Sequence, residues 1–205
     1  MRFTNGYWMD REGYTVQRGR QVHDLQVDAE AGRLRAFAPT RPVRGRGDTL
    51  NNPQITVTYE AVAEGVIRVR IENHRGTRTP QPRFEIAADA AYRGTVETVA
   101  DGRTTLRAGD LALTIGEGEE WLAEFSSAGR ALTSSMPRSI AHVIAPDGQR
   151  YMHEQLSLQP GESVYGLGER FGAFVKNGQS VDIWNEDGGT TSEQEIGRAS
   201  CRERV

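Results

Sequence analysis

The stretch TTLRAGDLALTIGEG, residues 104–118, alternates apolar and polar side chains on both sides of a glycine-containing turn. Successive side chains of a β-strand point to opposite faces of a sheet, so a period of two is typical of strands with one buried face. Ala108-Gly109-Asp110 separates the two halves, because glycine adopts the backbone angles that a tight turn needs. The stretch therefore predicts two strands joined by a turn.

The same period of two recurs on both sides of that stretch. Residues 55–60 and 65–72 predict strands, and the second places Ile67, Val69 and Ile71 on one face. Residues 119–132 predict two strands that turn at 127–129, and residues 139–158 predict a hairpin around Asp147-Gly148. Strands of this length, spaced about ten residues apart, predict an all-β sandwich or barrel.

Two further segments complete the predicted architecture. Residues 28–38 predict a turn and a strand rather than a helix, because Gly32 interrupts them and small apolar residues alternate after it. Residues 39–54 are rich in proline, glycine and asparagine and predict a long connection. We expect this connection to cross between the two sheets of one sandwich.

Composition excludes several classes of protein. The chain has 205 residues and a net charge of −3 without a basic block, so we expect no nucleic-acid partner. It lacks an apolar run of about 20 residues and an apolar leader, so we expect no membrane partner and a cytoplasmic location. Cys201 is the only cysteine, which rules out an internal disulfide and a cysteine-rich metal site.

Metal and cofactor chemistry have little support in the sequence. His142 and His153 fall on the two arms of the hairpin predicted at 139–158, where they would be cross-strand neighbours on a half-exposed sheet. A zinc site needs three or four ligands, and no third ligand accompanies them. We therefore expect no metal ion and no cofactor.

Two polar clusters stand out near the end of the chain. SVYGLGERFGAFVKNGQ, residues 163–179, sets Glu169 and Arg170 among aromatic side chains, which predicts a structural ion pair. VDIWNEDGGTTSEQ, residues 181–194, predicts either a hairpin at Asp187-Gly188 or a sugar-binding loop. The second interpretation rests on a carboxylate that can accept hydroxyl hydrogen bonds beside an aromatic ring that can cover a sugar face.

Residues 160–194 also resemble the end of the N-terminal β-sandwich of glycoside hydrolase family 31, and most closely that of the bacterial α-xylosidases. The YGLGERF, KNGQ and WNEDGGT boxes occur in the order and spacing of that family. A looser resemblance covers most of the chain upstream. It implies a galactose mutarotase-like antiparallel β-sandwich that precedes a (β/α)8 catalytic barrel.

The resemblance also implies which parts of the full-length enzyme carry the catalytic and the substrate-binding residues. Retaining α-glycosidases of this family use two barrel aspartates, which would lie beyond the position of Gln194, so no catalytic residue is transferred to this chain. The matching position for a loop aspartate that hydrogen-bonds the sugar in the −1 subsite is Asp187. We expect residues 1–166 to form the sandwich and residues 167–194 to form the active-site loop and the start of the connection to the barrel.

The last residues, EIGRASCRERV, differ from the rest of the chain. They have no periodicity, and a back-translation with permitted codons matches a common sequencing adapter. We therefore expect residues 195–205, from about Glu195, to be a non-native tail on a fragment of a longer gene.

Three functional hypotheses follow. In the first, the chain is the inactive N-terminal part of an α-xylosidase or α-glucosidase that acts on α-linked xylosyl or glucosyl saccharides. Its partners would be that saccharide and its own catalytic barrel, with a possible homo-oligomer of the full-length protein. In the second, it is a standalone carbohydrate-binding module. In the third, it is a mutarotase-like epimerase, which needs a histidine and a carboxylate on one concave face.

Overall fold

The computed structural model describes residues 3–5, 9–73, 91–99, 101–118, 120–168, 172–181 and 183. The chain divides into two compact units. The larger unit comprises residues 12–157. The smaller unit comprises the described parts of residues 1–11 and 158–205.

Both units consist of short strands. In the smaller unit, β1 (Thr4–Asn5) pairs antiparallel with β2 (Met9–Asp10). The strands of the larger unit are β3 (Thr15–Arg18), β4 (Asp24–Asp28), β5 (Arg33–Pro39), β6 (Gln54–Ala63), β7 (Val66–Glu72), β8 (Thr95–Thr98), β9 (Arg103–Ala108), β10 (Leu111–Gly116), β11 (Ala123–Ser127), β12 (Arg130–Ser135), β13 (Ala141–Ile144) and β14 (Arg150–His153). A single 3-10 turn, Arg46–Thr49, is the only helical element in the described ranges.

The strands of the larger unit form three antiparallel sheets. One has the order β12-β11-β10-β9-β8, the second β14-β13-β3, and the third β4-β5-β6-β7. This arrangement confirms the predicted all-β antiparallel β-sandwich. Within the described ranges, no helix has the length and hydropathy that crossing a bilayer requires.

The predicted hairpins are confirmed. Strands β9 and β10 pair with Ala108 opposite Leu111, which leaves Gly109 and Asp110 as the turn. The turn between β11 and β12 is Ala128-Gly129, and both residues have positive φ, as two-residue hairpin turns of mirror-image type require. The hairpin around Asp147-Gly148 joins β13 to β14.

The long connection at 39–54 does not cross between sheets, so that prediction is wrong. Strands β5 and β6 are antiparallel neighbours in one sheet, with Pro39 opposite Gln54. The loop between them is held by Asn52. Its Oδ1 accepts from the backbone N–H of Arg41 at 3.0 Å, and its Nδ2 donates to the carbonyl of Arg41 at 2.9 Å. The composition of the loop was recognised, but composition carries no information about which strands a loop joins.

The core lies between the four-stranded and five-stranded sheets, where β6 packs against β9. The ring of Tyr59 on β6 meets the ring of Phe125 on β11 edge to face, with centroids 6.4 Å apart. Each fully buried Val, Leu or Ile side chain contributes roughly 1.5–3 kcal/mol of hydrophobic stabilisation, and a buried Ala contributes less. The core aliphatics that are completely buried include Leu34, Ala36, Ala38, Ile55, Val57, Leu106, Leu113 and Ile115.

The opposite face of the four-stranded sheet carries charge. Register places Asp28, Arg33, Glu60 and Arg68 side by side across the four strands. Arg33 pairs with Asp28 at 2.6 Å, and Arg68 pairs with Glu60. Such partly exposed pairs each contribute about 0–1 kcal/mol, so their main effect is to keep this face polar while the other face packs.

Strand β7 is the least buried strand of that sheet. Ile67 and Ile71 pack against the core as the predicted face requires, but Val69 between them is 39% exposed. Val69 lies opposite Tyr59, at the margin of the sandwich. Among the strands that the structure describes, β7 is paired with β6 alone, and a strand at the edge of a sheet is covered less completely.

Gly94 marks a close approach between the two main sheets. A Cβ atom at this position would lie 2.3 Å from the carbonyl oxygen of Arg107 on β9 and 2.6 Å from the Cβ of Ala61 on β6. Only glycine fits such a contact. Because Gly94 has no side chain, the chain can pass close to the backbone of β9 just before β8 begins.

A tryptophan and a serine are buried together in the larger unit, next to the half-buried Glu154. Trp121 is fully buried, and its Nε1 donates to Oγ of Ser135 at 3.0 Å. Burial raises the pKa of Glu154, and a hydrogen bond from Ser135 offsets part of that rise. Ser135 therefore connects the core indole to a carboxyl group that resists ionisation.

Ser135→Ala is expected to destabilise the larger unit. The change removes the acceptor for the buried Trp121 Nε1, and an unsatisfied buried donor costs about 1–3 kcal/mol. Urea unfolding of the purified chain measures this loss. Ser126→Ala, a half-buried serine on β11 outside this group of residues, serves as control. Equal unfolding free energies for the two variants would contradict the assignment.

Glu154→Gln is expected to change how stability depends on pH. A carboxyl whose pKa is raised by folding stabilises the folded state below its unfolded value of 4.5 and loses that contribution as pH rises through the folded pKa. The glutamine variant cannot ionise, so its stability should increase relative to the parent as pH rises above 4.5. Urea titrations at several pH values test this, with the exposed Glu117→Gln as control. A difference that stays constant with pH would refute it.

Candidate functional site

The predicted substrate-contacting residue, Asp187, lies outside the described residues. So do the Glu169–Arg170 pair and the segment from Glu195 onward. The structure describes the segment that leads into the predicted loop, residues 158–168 and 172–181, all within the smaller unit.

Asn177 joins two parts of this segment. Its Oδ1 accepts from the backbone N–H of Val164 at 2.7 Å, and its Nδ2 donates to the carbonyl of Glu162 at 2.9 Å. The backbone N–H of Lys176 donates to the carbonyl of Val164 at 2.8 Å. Three hydrogen bonds thus connect residues 162–164 to residues 176–177, and we call this arrangement the Asn177 clip.

The KNGQ box, residues 176–179, is itself a hydrogen-bonded turn. The only lysine of the chain, Lys176, is 7% exposed, and its Nζ donates to the carbonyl of Ala173. The Nε2 of Gln179 donates to the carbonyl of Val175 at 2.7 Å, and Gly178 has a φ of +75°. The side chains of Lys176 and Gln179 therefore satisfy backbone carbonyls just before the box, whereas that of Asn177 reaches residues 162–164.

The YGLG segment presents an aromatic pair to solvent. The rings of Tyr165 and Phe174 lie 5.1 Å apart and are inclined by 48°, and their side chains are 53% and 79% exposed. Gly166, Leu167 and Gly168 all have positive φ, so the chain reverses sharply beside Tyr165. Leu167 is unusual there, because positive φ strains a residue with a side chain.

The histidines do not form the neighbouring pair that the sequence predicted. Register places His142 opposite Met152 and His153 opposite Ala141, so the two histidines lie on opposite faces of the sheet. The Nδ1 of His142 lies 2.9 Å from Oε1 of Gln17 on β3, where it acts as a donor. The prediction was wrong by one residue, and a one-residue slip exchanges the two faces.

Metal ligands are likewise not clustered in the part of the chain that the structure describes. It contains no group of three or more His, Cys, Asp or Glu side chains suited to hold an ion.

Burial lowers the pKa of His153, and the nearby Arg18 lowers it further. This histidine is therefore held in its neutral form near neutral pH.

The larger unit also has an open cleft of about 530 Å³. Much of its wall is braced: the guanidinium of Arg41 donates to the carbonyls of Leu50 and Asn51 at 3.0 and 2.7 Å. None of the lining residues that the structure describes is aromatic, so these residues offer no platform for the apolar face of a sugar ring. Its lining residues are Arg20, Gln21, Thr40, Arg41, Pro42, Gly118 and Glu120.

In the described residues 158–168 and 172–181, then, side-chain hydrogen bonds hold together a segment that lies outside the regular strands. The YGLG and KNGQ boxes of this segment are recognisable in the sequence, but the roles of Asn177 and Lys176 are not. The available clue was the Asn-Gly pair at 177–178, which is typical of tight turns and of side chains that bond nearby backbone. The partners of Asn177, 13 and 15 residues away, could not be read from that pair.

Two α-xylosidases are among the proteins that are similar in sequence to this chain. An α-xylosidase of Lactiplantibacillus pentosus, XylQ, is 40% identical to this chain over 195 residues, which is 95% of the chain and 25% of the relative. An α-xylosidase of Emericella nidulans is 35% identical over 212 residues, covering 94% of the chain and 27% of the relative. The chain thus spans about a quarter of the length of these relatives.

A family match agrees with the resemblance seen in the sequence. Residues 56–196 match the glycosyl hydrolase 31 N-terminal galactose mutarotase-like domain. The match includes most strands of the sandwich and continues through the Asn177 clip. This chain belongs to the family of glycosyl hydrolase 31 N-terminal galactose mutarotase-like domains.

Proposed function

We propose that this chain is the N-terminal part of a retaining α-glycosidase that hydrolyses terminal α-linked xylosyl or glucosyl residues. The observation that carries the proposal is its similarity over 95% of its length to an α-xylosidase four times as long. In this proposal the catalytic aspartates belong to the rest of the enzyme, and the enzyme is cytoplasmic. This chain then supplies the sandwich and a loop that contacts the substrate.

Asp187 is the substrate-contacting residue in this proposal. Its carboxylate can accept hydrogen bonds from sugar hydroxyls, and the adjacent Gly188 and Gly189 permit close approach of backbone to a ligand. The clip at Asn177 supports the assignment, because a loop that binds substrate needs a fixed base.

The proposed docking of a catalytic barrel has support in the exposed apolar side chains of the smaller unit. A concentration of such residues is typical of a surface that another part of a protein covers. In the much longer relatives, the remaining three quarters of the chain are available to cover it. The residues include Leu158, Tyr165, Leu167, Phe174, Val175 and Ile183, each between 39% and 79% exposed.

A binding module without catalysis is the second candidate, and the exposed Tyr165–Phe174 pair favours it. A solvent-exposed aromatic ring can pack against the apolar face of a sugar ring. If this candidate is correct, residues 1–205 alone bind an α-xylosyl oligosaccharide in titration calorimetry, and Phe174→Ala abolishes the binding. The first candidate requires instead that binding depend on the complete enzyme.

Purified residues 1–205 are expected not to hydrolyse p-nitrophenyl α-xyloside or α-glucoside. Retaining glycosidases need two carboxyl groups about 5–5.5 Å apart, and the proposal places both in the catalytic barrel. Release of p-nitrophenol, followed by absorbance, measures the activity, with the full-length enzyme as positive control. Turnover by the fragment above a buffer blank would contradict the proposal that both catalytic carboxyl groups lie in the barrel.

Asp187→Ala in the full-length enzyme is expected to lower kcat/KM by about 10- to 150-fold. A hydrogen bond from a substrate hydroxyl to a charged group contributes about 1.5–3 kcal/mol, and that energy is lost with the carboxylate. Steady-state kinetics with p-nitrophenyl α-xyloside measure the effect. Asp24→Ala, at an exposed position on β4, is the control and should leave kcat/KM unchanged. If Asp187→Ala retained the kcat/KM of the parent enzyme, the proposal that Asp187 contacts the substrate would be contradicted.

A further inference from the structure

We propose that Asn177 is a site of spontaneous covalent modification, at which the backbone nitrogen of Gly178 attacks the side-chain amide and opens the Asn177 clip. The product is an aspartate or an isoaspartate in place of the asparagine, and water is the only other reactant. The inference is independent of the proposed function, because it concerns the residues of the clip alone.

The reaction is an intramolecular substitution at Cγ of Asn177. The backbone nitrogen of Gly178 forms a bond to Cγ, and the bond between Cγ and Nδ2 breaks. The amide nitrogen leaves as ammonia, together with the proton that the nitrogen of Gly178 gives up. Water then opens the resulting imide ring. Cleavage of its side-chain carbonyl bond gives aspartate, and cleavage of its main-chain carbonyl bond gives isoaspartate.

The attacking nitrogen is accessible in the structure. Gly178 is exposed and has no side chain, and a Cβ atom built there would meet no atom within 4 Å. The backbone N–H of Gln179 donates to the carbonyl of Lys176 at 3.1 Å, whereas none of the hydrogen bonds among the described residues has the N–H of Gly178 as its donor. Attack by this nitrogen therefore breaks no hydrogen bond of its own and is not hindered by a side chain.

The side-chain amide of Asn177, by contrast, is restrained at both ends. Its Oδ1 accepts from the N–H of Val164 at 2.7 Å, and its Nδ2 donates to the carbonyl of Glu162 at 2.9 Å. Addition of the nitrogen makes Cγ tetrahedral, so the planar amide that holds both partners is lost. The asparagine therefore reacts when the clip is open, and the two hydrogen bonds slow the modification without preventing it.

Modification prevents the clip from forming again. An aspartate at position 177 keeps an acceptor for the N–H of Val164 but has no donor for the carbonyl of Glu162, and an isoaspartate also lengthens the main chain. The bond from the N–H of Lys176 to the carbonyl of Val164 is then the remaining link of the clip. We therefore expect the modified turn to separate more often from residues 162–164.

Peptide mapping by mass spectrometry tests the proposal on residues 1–205, incubated at mildly alkaline pH. Asn177 is expected to be converted in the folded chain about 5- to 150-fold more slowly than in guanidinium chloride, because two hydrogen bonds of ordinary net strength must first open. If Asn177 stayed intact in the folded chain for much longer than this range allows, the proposal would be overturned. Equal rates in the folded and unfolded chains would show that the clip does not restrain the reaction.

A matched control is present in the larger unit. Asn52 also bonds a backbone donor and a backbone acceptor, both on Arg41, so its amide is restrained in the same way. The next residue is Pro53, whose nitrogen carries no hydrogen and cannot form the imide by this route. Asn52 should therefore remain unmodified in the folded and the unfolded chain. Conversion of Asn52 at the rate of Asn177 would contradict the role assigned to the nitrogen of Gly178.

Hydrogen exchange separates opening of the clip from general unfolding. In the modified fraction, and in an Asn177→Asp variant, the amide hydrogens of Val164 and Lys176 should exchange faster than in the unmodified parent, whereas those of β9 in the core should exchange at the parent rate. Unchanged exchange at Val164 and Lys176 would contradict the inference that modification opens the clip. Faster exchange at β9 to the same extent would contradict it as well, because the effect would then not be confined to the clip.

Discussion

The packing of β6 against β9 across the core is the contact on which the rest of the larger unit depends. It requires each strand to present every second side chain to the other sheet, because side chains alternate along a strand. Tyr59 and Leu106 meet this requirement with almost no exposure. The residues that alternate with these buried positions along each strand then face away from the core. The alternation of side chains therefore produces both the apolar core and the charged outer face.

Wherever the chain leaves regular strands, backbone groups lose their ladder partners and need others. Two asparagines supply these partners at comparable places, one in each unit. Asn52 braces the loop between β5 and β6, and Asn177 joins residues 162–164 to the KNGQ turn. Asparagine suits both places because its amide offers a donor and an acceptor at once. Irregular segments of this protein are thus ordered by side-chain hydrogen bonds where they lack a core.

Whether a feature depends on neighbouring residues or on distant ones explains which predictions succeeded. Hairpins at 104–118, 119–132 and 139–158 depend on local turn chemistry and were predicted correctly. The connection at 39–54 and the pairing of His142 with His153 depend on which strands are neighbours and in what register, and both were wrong. In the candidate site, the boxes were recognisable in the sequence, whereas the partners of Asn177 became visible only in the structure.

The sequence by itself determined the all-β class and most strands and turns, because alternation and turn residues act over a few neighbouring positions. Its resemblance to glycoside hydrolase family 31 also indicated the family to which the chain belongs. Only the tertiary structure decided the order of strands in each sheet, the burial of Glu154 beside Ser135, and the clip at Asn177. These features join residues far apart in the chain, and such contacts form only when burial of the core brings distant segments together.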